Sequence, residues 1–340
     1  MVEEIQGEES KKELHPERYD ESLFKQAYKA GLKAKEFKLE KKRQHRLRII
    51  GLVICITIFS ALAVFLSKIL VFKSSSYIIA YKTEGSFNDI HDTVLPSSPS
   101  SSDFNYSLVG ARSALFADLK TGEIFYAKNL DEQLYIASIT KLMSAVVALK
   151  EFDLNEEVEV KRDWYDEDGM GWSLGFDKGD TVTVKTLLNA MLISSYNDSA
   201  YVLADHMDGG VDSFVEEMNN YSTKIGLKDT QFNNPSGLDT DGGNVSTVED
   251  LYRLAVIVYD NGTLMEILSR SYGDLEWDIG SGRIYTTNSL MGKYGNVAGK
   301  TGFTKLSGEC FLGITEDGKL TVVLDSDDRF GDTRKLLLNL

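Results

Sequence analysis

From Ile49 to Ser67 the chain reads IIGLVICITIFSALAVFLS, nineteen residues without a charged side chain. A run of this length and apolarity does not suit a domain surface. At 1.5 Å per residue it spans roughly 30 Å as a helix, the thickness of the hydrocarbon core of a bilayer. Lys41, Lys42, Arg43, Arg46 and Arg48 lie just before it, a positive cluster expected to hold the N-terminus in the cytoplasm. Ala61-Leu62-Ala63 matches a cleavage pattern, but apolar residues continue beyond it and the preceding tail is too long for a signal peptide. An uncleaved, single-pass membrane anchor is therefore expected.

This run divides the chain. Residues 1–48 read as a charged cytoplasmic tail, 49–72 as the transmembrane anchor and 73–105 as a linker. The linker contains Ser74-Ser75-Ser76 and Pro96-Ser97-Ser98-Pro99-Ser100-Ser101-Ser102, a composition that stays extended and solvated. Residues 106–340 read as the extracytoplasmic globular domain. The formal net charge is -15, and it is uneven: 13 Lys+Arg against 10 Asp+Glu up to Arg48, then 23 against 42 from Lys73 onward. So acidic a body argues against nucleic acid as a partner.

Two cysteines, Cys55 and Cys310, give no disulfide framework, and no Cys-x-x-Cys or His-Glu-x-x-His motif points to zinc. No cofactor is implied. Of the four histidines, His15, His45 and His91 precede the globular region, and His206 ends a helical pattern. A Ser-His-Asp triad would have to recruit His206, which reads as an ordinary helix-end residue. A serine nucleophile in this chain is expected to use another base.

Local patterns predict a mixed fold. Ser113–Asp118 and Glu123–Ala127 flank Lys120-Thr121-Gly122, a hairpin signal. Helical patterns cover 186–193, 200–207, 211–225 and 247–259, the last opened by Ser246 or Thr247 with Glu249 and Asp250. Arg283–Leu290, Glu309–Thr315 and Leu320–Asp325 read as strands, and 332–338 as a final helix. Helices inserted between strands of one antiparallel sheet imply an α/β (α+β) layered fold.

Three short groups carry the chemistry. In Ala137-Ser138-Ile139-Thr140-Lys141, Ser138 and Lys141 are three apart, so they share one face at the start of a buried helix pattern. Free N–H groups and the dipole there favour developing negative charge. Ser195-Tyr196-Asn197 lies between two helix patterns, a place where Asn is often a turn residue. Gly299-Lys300-Thr301-Gly302-Phe303 reads as a strand-edge turn.

In that order and spacing, the chain resembles the serine-type D-alanyl-D-alanine carboxypeptidases. These low-molecular-mass penicillin-binding proteins share an S-x-x-K, S-x-N and K-T-G set with β-lactamases. The likeness runs from about residue 107 to the C-terminus and includes Asp118–Glu123, Lys128–Glu132, Ser195–Ala200, Asn234-Pro235-Ser236-Gly237-Leu238 and Asp328-Arg329-Phe330. The resemblance implies a three-layer fold: an antiparallel sheet flanked by helices, with an all-helical subregion. It implies Ser138 as nucleophile, Lys141 as base, Ser195 as proton relay and Asn197 as orienting group. Lys300 and Thr301 would bind a terminal carboxylate, Gly302 would admit the substrate backbone, and the N–H groups of Ser138 and Phe303 would form the oxyanion hole. The implied partners are the peptidoglycan stem peptide ending in D-Ala-D-Ala and β-lactams as inhibitors.

Tyr196 stands where the family usually has Gly, and little effect is expected. Asn244 stands where many members have His, in Gly243-Asn244-Val245-Ser246-Thr247, and a lost packing or hydrogen-bond role is expected. D,D-endopeptidase or transpeptidase action, a β-lactamase and a non-catalytic wall-binding protein remain as alternatives. Glu216-x-x-x-Asn220 offers a superficial β-lactamase signature but reads as a solvated helix face.

Overall fold

The computed structural model describes residues 109–164, 170–278 and 280–338. The expected cytoplasmic tail, anchor and linker lie outside the described residues. Among the described residues no helix is long and apolar enough to cross a membrane.

Strand β1 (Ser113–Asp118) is buried on both faces. Its residues alternate between two cores, as the period of a strand requires. Leu115 and Ala117 face the large core, while Ala114 and Phe116 face a smaller one. The hairpin leads to β2 (Ile124–Lys128), with Gly122 at φ +77° in the turn. β3 (Leu134–Tyr135) and a 3₁₀ turn (Ala137–Thr140) lead into α1 (Lys141–Glu151). β4 (Glu157–Glu159) pairs with β5 (Thr181–Thr183). A helical block follows: α2 (Val184–Ile193), α3 (Asn197–His206) and α4 (Gly210–Lys224).

β6 (Val245–Ser246) pairs with β3, and α5 (Val248–Asp260) and α6 (Gly262–Leu268) come next. Thr247 caps α5 by accepting the Asp250 N–H, as the sequence suggests. β7 (Tyr272–Trp277) and β8 (Gly280–Tyr285) form a hairpin. This corrects the expected strand at 283–290, which continues past Tyr285 into a turn. β9 (Asn296–Thr304), β10 (Gly308–Thr315), β11 (Lys319–Ser326) and α7 (Arg329–Leu338) complete the fold.

The main sheet is antiparallel with order β2-β1-β11-β10-β9, so β9 is an edge strand. Cys310, Leu312 and Ile314 of β10, with Leu320, Val322 and Leu324 of β11, face the large core shared with α1, α2, α3 and α5. Phe311 and Val323 face the other side, under Leu336 of α7. Helices on both faces of one antiparallel sheet give the expected three layers. Three consequences position the site. The edge of β9 lies open beside the 3₁₀ turn, the α2–α3 turn meets the same place, and the 234–237 loop closes it.

Candidate active site

The 3₁₀ turn begins with Ala137 at φ +45°. A left-handed alanine costs on the order of 1–2 kcal/mol, so the surroundings must impose it. Two glycines do so by close approach. A Cβ on Gly237 would lie 1.9 Å from the Ala137 carbonyl oxygen and 2.9 Å from the Ser138 nitrogen. One on Gly302 would lie 2.8 Å from the Ile136 oxygen and 3.1 Å from the Ser138 nitrogen. Gly237 also sits at φ +84°, where glycine alone is unstrained. The serine turn is therefore gripped between the 234–237 loop and β9. Ser138 lies in this 3₁₀ turn rather than in the α-helix proper, which starts at Lys141; this corrects the simple helix-start reading.

Lys141 is fully buried. Its Nζ lies 2.9 Å from Ser138 Oγ and donates to Asn197 Oδ1 at 2.7 Å and to the Ser236 carbonyl at 2.6 Å. Asn197 cannot present its amide the other way round without loss, because its Nδ2 donates to the Met170 carbonyl at 2.7 Å. Burial holds the Lys141 amine well below its ordinary value; the nearby Lys300 charge pushes the same way and the Asp198 carboxylate opposes both. A neutral amine has two N–H groups and one lone pair. Asn197 Oδ1 and Ser236 O can only accept, so they occupy the two N–H groups, and the lone pair is left toward the Ser138 hydroxyl. That arrangement can withdraw the hydroxyl proton as oxygen attacks an electrophile.

Asn197 is the first residue of α3 rather than a loop residue. Ser195, in the turn before it, has φ +64°. Its Oγ accepts from Lys300 Nζ at 2.7 Å. Lys300 is fully buried on β9, on the same strand face as Ala298 of the large core, and its Nζ also donates to the Thr301 carbonyl at 2.8 Å. Burial first, then the Arg329 charge, lowers the Lys300 amine to about 7. Thr301 alternates to the other side of the strand, where its Oγ1 lies 2.6 Å from Thr287 Oγ1. Phe303 is 44 % exposed at the rim.

The fold thus gathers two hydrogen-bonded groups, Ser138–Lys141–Asn197 and Ser195–Lys300, with Thr301, Gly302 and Phe303 on the strand that carries Lys300. Several residues of this site were not singled out by sequence reasoning. Ser236 supplies a Lys141 acceptor through its carbonyl, from the 234–237 loop. Arg329 Nη1 donates to the Gly302 carbonyl at 2.6 Å. Asp198 is buried, and burial raises its carboxyl while N–H groups of Gly175, Leu174, Ser199 and Phe176 pull the other way. No local signal marks these roles, since each depends on partners far along the chain.

The expected loss at Asn244 is corrected. Its Oδ1 accepts from the Asn233 and Asn234 N–H groups at 2.7 and 3.1 Å, and its Nδ2 donates to Thr140 Oγ1 at 2.9 Å and the Asn234 carbonyl at 2.8 Å. A buried amide with both ends satisfied ties the 233–234 segment to the serine turn. His206 pairs with Glu156 at 2.8 Å, which removes it from any triad with Ser138.

The D-alanyl-D-alanine carboxypeptidase family model matches residues 100–327. A D-alanyl-D-alanine carboxypeptidase of Bacillus subtilis is 29% identical over 63% of this chain and 56% of its own length. One of Escherichia coli is 34% identical over 67% of this chain and 62% of its own length. The chain therefore spans about 56–62% of the length of these two relatives. Among solved structures, penicillin-binding protein D2 of Listeria monocytogenes in its ampicillin-bound form is 34% identical. It covers 67% of this chain and 96% of its own, with a TM-score of 0.59.

Proposed function

The chain belongs to the D-alanyl-D-alanine carboxypeptidase family, and from that membership we propose that it removes the terminal D-alanine from peptidoglycan stem peptides through an acyl-enzyme on Ser138. The observation that carries this reading is the Lys141 amine. It is buried, with both N–H groups occupied by acceptors and its remaining valence 2.9 Å from Ser138 Oγ.

In the proposed reaction, Ser138 Oγ bonds to the carbonyl carbon of the D-Ala–D-Ala link while Lys141 Nζ takes its proton. The carbonyl oxygen gains charge and is stabilised by the N–H groups of Ser138 and Phe303. The C–N bond then breaks, and the proton passes by way of Ser195 to the leaving amine. Lys300 attracts the terminal carboxylate, with Thr301 as a second donor. Water adds to the ester, gives its proton back through Lys141, and Ser138 recovers its hydroxyl. The family's fold and the ampicillin complex of the Listeria relative support β-lactams as inhibitors that acylate the same serine.

The sequence adds a location. The uncharged run at 49–67 and the basic cluster before it support a single-pass cell-membrane anchor with the N-terminus in the cytoplasm. The Ser-rich linker would then hold the catalytic domain outside the membrane, where peptidoglycan is.

Release of D-alanine from a pentapeptide ending in D-Ala-D-Ala tests the proposal, with Ser138→Ala as control. Release by the wild type and none by Ser138→Ala is expected. Release without free water as acceptor, into a crosslinked product, would favour transpeptidation; many turnovers of nitrocefin would favour a β-lactamase. No release and no fluorescent-penicillin labelling would leave a wall-binding protein.

A further inference from the structure

Trp172 lies outside the three motifs, in the segment before β5, and is 47 % exposed. Burial alone does not account for how tightly it is tied. Its carbonyl accepts the Asn197 N–H at 2.8 Å, and its indole Nε1–H donates to the Ser194 carbonyl at 2.8 Å. Its ring stacks on Tyr196, with centroids 5.6 Å apart and planes within 6°. Two residues earlier, the Met170 carbonyl accepts from Asn197 Nδ2. The indole and the 170–172 backbone thus hold Ser194, Tyr196 and Asn197 from one side.

What lies inside this clasp is Ser195 at φ +64°, a conformation that is uncommon and strained for a residue with a Cβ. The opposite side of the turn is tied by the Tyr196 N–H to the Ala190 carbonyl at 3.2 Å and by Ser194 Oγ donating to the Tyr285 carbonyl at 2.7 Å. Neither of these bonds involves Ser195. The φ value aims Ser195 Oγ at Lys300 Nζ.

We propose that Trp172 is a positioning residue of this site: its stack on Tyr196 and its bond to Ser194 hold Ser195 in the left-handed conformation that keeps Oγ on Lys300. Tyr196 then has a task of its own. It supplies the flat partner surface that a glycine at this position lacks, so the indole and the phenol ring work as a pair.

The kinetic consequence rests on the acyl-transfer reading of the site; the conformational one does not. The experiment uses the full-length chain in detergent. A crystal structure of Trp172→Ala is expected to show Ser195 at negative φ and Oγ beyond 3.5 Å of Lys300 Nζ. Ser195 held at positive φ and still bonded to Lys300 overturns the proposal. With a fluorescent penicillin, the acylation rate at saturation is expected to fall about 10- to 100-fold in Trp172→Ala, with little change in the pre-acylation binding constant. Trp172→Phe, which keeps the stack and loses the indole donor, recovers part of the rate.

Tyr196→Gly removes the stack from its other side and reproduces the loss in wild type, but adds little to Trp172→Ala. An acylation rate within about twofold of wild type in both Trp172→Ala and Tyr196→Gly overturns the proposal. Should Trp172→Ala not fold, Tyr196→Gly and Trp172→Phe carry both readouts. A wild type that never acylates counts against the acyl-transfer reading, while the position of Ser195 in the variant still decides this inference.

Discussion

Lys141 and Lys300 are both fully buried, yet the fold surrounds them differently. Lys141 extends from a helix into two pure acceptors and a hydroxyl, with Asp198 as the nearby anion. Lys300 extends from an edge strand toward a hydroxyl and its own strand's carbonyl, with the Arg329 cation nearby. Burial lowers both amines, because desolvation disfavours the charged form. The difference lies in what each can still bind. The protein's own acceptors take two of the Lys141 N–H directions, so that in the neutral amine the lone pair faces Ser138. Lys300 titrates at about 7, so an approaching carboxylate can recharge it. In the proposed reaction one lysine serves as a base and the other as an anion receptor.

The sharpest way to break this contrast is Lys141→Met. Loss of a general base removes about 10²–10⁴-fold from penicillin acylation. A residual rate within tenfold of wild type would place the base elsewhere.

Lys300→Met is expected to act on recognition. Losing one charge-assisted bond to the terminal carboxylate raises KM for the pentapeptide by about 10- to 100-fold, with a smaller effect on kcat. The pH profile separates the two lysines. In wild type, the free enzyme loses the Lys300 charge as pH rises through about 7, so kcat/KM has a limb there; in Lys300→Met that limb is absent. Stability supplies an independent reading. Between about 7 and the ordinary amine value of 10.5, the unfolded chain binds a proton at this lysine and the native one does not. Wild-type stability therefore rises with pH across that window, and the rise shrinks in Lys300→Met. Identical pH profiles for the two lysine variants would dissolve the distinction.

Gly237→Ala tests the grip on the serine turn. A Cβ 1.9 Å from the Ala137 oxygen at a φ of +84° costs about 3 kcal/mol, and Tm falls by about 6–12 °C. The smallest effect is expected for Thr287→Val, which removes the partner of Thr301 Oγ1. One neutral hydrogen bond is worth about 0.5–1.5 kcal/mol, so KM rises by up to about tenfold while Tm changes little.

Much of the site can be read in the chain because it is local. Ser138 and Lys141 meet across one turn, three residues apart. Lys300, Thr301 and Gly302 are consecutive on one strand, and Tyr196 separates Ser195 from Asn197 by a single residue. The strands were legible where both faces are buried, as in Ser113–Asp118, because apolar runs bounded by turn residues leave few choices. The β7–β8 hairpin was not. Its exposed Tyr272 and Tyr285 and its glycines at 280 and 282 blur the alternation that marks a strand.

The sequence by itself determined which groups are available: a serine without a usable histidine, two lysines, and glycines at 237 and 302. Local pattern reads Ser138 and Lys141 as a helix start and Lys300 to Gly302 as a strand-edge turn, where the structure has a 3₁₀ turn leading into α1 and the nine-residue strand β9. Only the tertiary structure decided what each lysine does. The Lys141 acceptors Asn197 and Ser236 lie 56 and 95 residues away in the chain, and Lys300 meets Ser195 across 105. Burial and the arrangement of distant neighbours set the proton affinity of an amine, and both arise when the sheet edge, the helical block and the 234–237 loop close on one another.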